Sequence, residues 1–183
     1  MTVYIESNFV LEQALEQEQC ESCEALIKIA GDRAIRILIP AFSLAEPHIA
    51  LMHKGNERSR FIPELRKHLS ELARSKSYQK DSPAFTEIVS LVIASEDRER
   101  ARLESAVDAL LNAAEIIPLT SEIFQEAKGF RSKFDMSFQD SVVLSSVIGH
   151  LRAARPADSC FLNRNTKDFA DLGAAVFNPW EMA

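Results

Sequence analysis

A chain of 183 residues with 46% hydrophobic and 26% charged residues has the length and apolar content of one soluble domain with a real core. No apolar run approaches the ~20 residues of a membrane span, and the strand-like start at Val3 shows no signal-peptide pattern. Three cysteines argue against a disulfide framework and fit a reducing cytoplasm, while a net charge of −6 speaks against nucleic acid unless the charge is unevenly spread.

Strand and helix signals alternate along the chain. Val3-Tyr4-Ile5 predicts a first strand, and Asn8 is placed to cap a long helix from about Phe9 to Ala30, closed by Gly31-Asp32. Ile35 to Ile39 is short and β-branched, which predicts a second strand. Pro40 then opens a helix through Glu46, and Pro47 should kink that helix or delay its start. From about Glu57 to Asn112 the pattern is helical, with Phe61, Leu65, Leu69 and Leu72 as one stripe and Ser82-Pro83 as a new helix start. Ile116 to Leu119 predicts a short third strand. Helices follow at about Ser121–Ser132 and Ser137–Leu151, then a fourth strand near Cys160–Leu162 and a fifth at Ala175–Phe177. The expectation is one α/β domain over 1–183, with a helical insertion over about 54–112.

The charge is indeed segregated. Lys54 to Lys80 holds eight Lys and Arg against Glu57, Glu64 and Glu71, while Glu12, Glu16, Glu18, Glu21 and Glu24 crowd the first helix. Such a basic segment either steers a polyanion or forms an ordinary solvated helix face. Cys20-x-x-Cys23 has half the spacing of a zinc site but no second pair, and it lies in a helical pattern. His48, His53, His68 and His150 show no ligand spacing, and Trp180 is expected to pack the tail.

Four polar stations carry the chemistry: Glu6 after the first strand, Glu46 after the second, Asp140 at a helix start, and Asn165 with Asp168 after the fourth strand. In a parallel sheet, groups just past the carboxyl ends of the strands converge on one crevice. Carboxylates gathered there repel one another unless a cation lies between them, and all-oxygen ligands favour Mg²⁺ or Mn²⁺ over zinc. The pattern therefore suggests a metal-dependent enzyme acting on phosphates. Each station also has a plainer reading. Glu6 can favour a helix N-terminus, Glu46 can be an exposed helix residue, Asp140 can complete a capping box with Ser137, and Asn165 to Asp168 can be a polar loop.

Taken as a set, Val3 to Asn8, Ala41 to Glu46, Ser137 to Ser146 and Asn165-Thr166-Lys167-Asp168-Phe169 resemble the PIN-domain nucleases, which include the toxin ribonucleases of bacterial toxin–antitoxin pairs. The resemblance covers roughly 1–53 and 113–183. It implies a three-layer α/β/α fold on a central parallel sheet of four to five strands. It implies Glu6, Glu46, Asp140 and Asp168 as catalytic and metal-binding residues holding Mg²⁺ or Mn²⁺. Ser7 and Asn165 would orient substrate or metal ligands. The basic segment, which lies outside the resemblance, suggests Arg58, Arg60, Arg66 and Lys67 as residues that hold phosphates. The implied activity is cleavage of single-stranded RNA, with an antitoxin protein as a partner; the cysteine usage suggests a cytoplasmic protein, and the helical insertion suggests an interface with a second copy of the chain. Glu6 departs from the family's usual aspartate by one methylene, and the segment from Lys54 to Asn112 is longer than a compact member needs. Both departures point to the alternative, an inactive PIN-like binding or assembly module.

Overall fold

Val3-Tyr4-Ile5 and Ile37-Leu38-Ile39 have no polar face, the pattern of strands covered on both sides. The computed structural model of the chain describes residues 1–164 and sets both runs at the centre of a parallel sheet. β1 (Thr2–Ile5) lies between β2 (Arg36–Pro40) and β4 (Ser159–Leu162), and β3 (Ala114–Ile117) adds outside β2, giving the order β3-β2-β1-β4. Val3 is in register with Ile37 on one side and Cys160 on the other. Side chains alternate across the sheet. Val3, Ile5, Ile37 and Ile39 enter one core with Leu103, Ala106 and Leu110, while Tyr4 and Leu38 enter a second with Val147 and Leu151. Helices thus cover both faces of a four-stranded parallel sheet. The expected fifth strand falls outside the described residues.

Three expectations need correction. The first helix is two helices, α1 (Ser7–Ala14) and α2 (Cys20–Gly31). The break falls at Glu16, which takes a left-handed φ of 48°. Glu12 and Glu16 are like charges four residues apart, which weakens a continuous helix. The turn is fastened where Glu12 accepts a hydrogen bond from the Gln19 amide and pairs with Arg164. The cap of α1 is Glu6 rather than Asn8, and its carboxylate accepts from the Asn8 amide at 3.1 Å. Finally, β3 ends at Ile117, before Pro118, because proline cannot donate to a ladder.

Pro47 does not end its helix. α3 runs unbroken from Ala41 to Ala73 through both Pro47 and Pro63, and α4 (Ser82–Ala113) returns antiparallel after a short 3₁₀ turn at Gln79–Asp81. An interior proline costs ~3 kcal/mol, so α3 depends on packing rather than propensity. Part of that packing is a close approach at Gly55, where a Cβ would sit 2.8 Å from the Glu96 carboxylate. Part is the paired contact of Arg58 with Glu99 at 2.7 and 2.8 Å. α5 (Ser121–Phe134) and α6 (Phe138–Ala154) complete the other layer. Cys20 and Cys23 lie on α2 as free thiols. Among the described residues, no helix is long and apolar enough to cross a membrane.

Candidate active site

Two parallel strands side by side deliver their following residues to the same edge. β1 hands the chain to Glu6 and Ser7, and β2 hands it to α3, which carries Glu46 one turn in. The Ser7 hydroxyl lies 2.6 Å from Glu46 Oε2 and 3.1 Å from Glu6 Oε2. A hydroxyl has one proton to donate, so it serves the closer carboxylate, Glu46, and the Glu6 contact is secondary. Glu6 is buried at 6% exposure, and its Oε2 is already engaged by the Asn8 amide. Its other oxygen, Oε1, is buried and has no hydrogen-bond partner among the described residues.

Glu46 is half-buried, and its carboxyl is held above the usual carboxylate range. Burial is the main cause. The negative charges of Glu6 and Asp140 add to it, and the Ser7 hydrogen bond opposes it. Asp140 therefore lies close enough for its charge to act on Glu46. It is held at the start of α6 by a reciprocal cap: Ser137 Oγ accepts from the Asp140 amide at 3.0 Å and donates to its carboxylate at 2.5 Å. Capping and proximity to the site are both properties of Asp140.

These residues suit a hard divalent cation. A buried carboxylate oxygen without a donor, beside a second carboxylate that resists ionisation, lacks only positive charge. Among the described residues, no three His, Cys, Asp or Glu side chains are gathered tightly enough to hold a metal ion together. Mg²⁺ needs only one or two direct carboxylates and keeps several waters, so Glu6 and Glu46 could hold one without a third direct carboxylate. Asn165 and Asp168 lie outside the described residues.

The basic residues occupy a different part of the molecule. Arg58 is paired with Glu99 in the α3–α4 hairpin and serves as a strut. Arg60, Arg66 and Lys67 are exposed. At ~1.5 Å per residue, Arg60 lies roughly 20 Å and Lys67 roughly 30 Å along α3 from Glu46.

Glu12 and Arg164 were not singled out in the sequence. Glu12 is buried at 4% exposure and pairs with Arg164 from beyond β4. They line a cavity of about 560 Å³ that Glu6 also borders, with Phe9 and Leu162 among its apolar walls and Asn8 among its polar ones. The only signal available was a carboxylate on the buried stripe of an amphipathic helix, three residues after Phe9.

Comparison with curated proteins and with solved structures finds no match. The family model of the PIN domain matches residues 3–169, nearly the whole chain. With this match, over a parallel sheet that brings Glu6 and Glu46 to one edge, the chain belongs to the PIN domain family, whose members are generally nucleases that use divalent metal ions.

Proposed function

We propose that the protein is a Mg²⁺- or Mn²⁺-dependent endoribonuclease that hydrolyses phosphodiester bonds in single-stranded RNA. The observation that carries this reading is the Glu6–Ser7–Glu46 arrangement, with Glu6 Oε1 buried and unpaired. Glu6 and Glu46 would hold the cation directly and Asp140 through water, and Asp168, outside the described residues, would complete the set. When bound, the cation supplies Lewis-acid activation of water and neutralises charge developing on the phosphate. Ser7 keeps the Glu46 carboxylate in one orientation. The Glu6 backbone is fixed where β1 meets α1, so its carboxylate arrives preorganised. A bound cation would favour the ionised form of Glu46, which burial disfavours.

The cavity beside Glu6 supports an unpaired strand as substrate, since apolar walls with a polar edge suit an unstacked base. Activity of this kind is what the toxin of a toxin–antitoxin pair requires. Inducible expression that arrests growth, relieved by a small protein encoded beside it, would place the chain in that role. The direct test is cleavage of unstructured RNA by purified protein with Mn²⁺, Mg²⁺ or chelator. Metal-dependent cleavage lost in Asp140→Asn supports the reading. RNA binding without cleavage under every metal condition supports the inactive module instead.

A further inference from the structure

Ser82 to Ser95 contains a single charged residue, Glu87, and this stretch of α4 is far less buried than its composition suggests. Val89 is buried, near Leu69 and Ala73 of α3, whereas Ile88 is 48% and Leu91 59% exposed. At about 100° per residue, the positions Ala84, Ile88, Leu91, Ser95 and Arg98 fall within about 80° of arc, well round from Val89, and Asp81 directly precedes the first turn of α4 as its N-cap residue. Their spacing alternates three and four residues, the repeat of a helix seam that packs on another helix. Phe61 and Leu72 of α3, 53% and 40% exposed, lie on the same side of the hairpin, since the two helices run antiparallel.

The order of residues along this seam identifies its partner. Laid antiparallel on a second copy of itself, the seam sets Ile88 against Leu91, small Ala84 against small Ser95, and Asp81 against Arg98. Each pairing occurs twice about the two-fold axis, as an isologous contact requires. A parallel arrangement would instead set Asp81 on Asp81 and Arg98 on Arg98. Neither Asp81 nor Arg98 has an ion-pair partner within its own chain among the described residues. We propose that the outer face of α4 is an interface for a second copy of this chain, paired antiparallel about a two-fold axis between Ile88 and Leu91. The hairpins then form a four-helix core, and the two sheet domains lie at opposite ends with their Glu6–Glu46 edges unobstructed.

Sedimentation equilibrium of the full chain tests this independently of nuclease activity. The wild type should run at twice the chain mass. Ile88→Glu with Leu91→Glu should run as a monomer with unchanged helical circular dichroism, because both side chains are already exposed. Asp81→Arg or Arg98→Asp alone should weaken the dimer by about tenfold, since each converts two symmetric attractions into repulsions. The two changes together should restore it. A wild type that stays monomeric at its highest soluble concentration overturns the proposal. So does a dimer indifferent to Ile88→Glu with Leu91→Glu, or a charge exchange that fails to recover the affinity.

Discussion

Ser7 Oγ stands 2.6 Å from Glu46 Oε2, so the residue that begins α1 fixes the carboxylate that projects from α3. The contact joins residues 39 positions apart across the parallel β1–β2 pair. It is also the hydrogen bond that holds the Glu46 pKa down against burial and two neighbouring charges. Ser7→Ala should therefore push the Glu46 carboxyl further up and let its side chain turn. We expect metal affinity or RNA cleavage to fall by about 10- to 100-fold, as for other groups that orient a ligand, with the melting temperature nearly unchanged. Titration calorimetry with Mn²⁺ reads this directly; an unaltered affinity and cleavage rate would show that Ser7 does not position Glu46.

The raised pKa of Glu46 fixes the sign of a stability effect. Its folded form holds a proton more tightly than its unfolded form, whose carboxyl titrates near the ordinary value. Between those two points the folded state binds more protons, so stability falls as pH rises through that window and stays lowered above it. Glu46→Gln removes the ionisation. It should raise the melting temperature at pH 7 and have no such benefit at a pH below both carboxyl values. A variant less stable than wild type at pH 7 would contradict the assigned cause.

The same residue couples metal to protons. A cation binds the ionised form of Glu46, so metal affinity should rise with pH across the Glu46 titration, and within that window calorimetry in buffers of different ionisation enthalpy should detect proton release. Glu6→Gln should separate the two duties of Glu6. The amide oxygen can still accept from Asn8 and cap α1, a contact worth ~1 kcal/mol, while the charge facing the cation is lost. We expect a folded variant of near wild-type stability that binds Mn²⁺ at least tenfold more weakly, an effect of about 1.4 kcal/mol.

How much of this was legible depends on the range over which each feature is determined. The strands at Val3 and Ile37 and the Ser137–Asp140 cap are local patterns, and the structure contains them. The break at Glu16 was hidden because Leu11, Leu15 and Leu26 keep a helical spacing across it, and its fastening comes from Arg164, 152 residues away from Glu12. That α3 starts at Ala41 and continues through Pro47 was hidden because local rules cannot register the support of α4. The pairing of Arg58 with Glu99 was hidden for the same reason: its partner lies on the returning helix and has no local signature. The course of α3 away from the site likewise depends on where the hairpin projects, which composition does not encode.

That distinction yields a prediction for the basic residues of α3. Arg58 holds a carboxylate whose side chain is only 12% exposed, so Arg58→Ala leaves Glu99 buried and unpaired. Breaking such a pair costs about 3 kcal/mol, read as a lowered denaturant midpoint, and replacing both residues together should cost less. Arg60, Arg66 and Lys67 are exposed and make no ion pair among the described residues, so neutralising them should leave stability alone. If they grip RNA, they must hold it well away from the carboxylates. Short oligonucleotides would then bind no worse to the triple variant, whereas long ones would lose affinity and show a salt slope flatter by about 0.7 per lost phosphate contact. Equal losses for short and long RNA would place the contacts beside Glu46 instead, and no loss for either would leave the α3 basic face without a role in RNA binding.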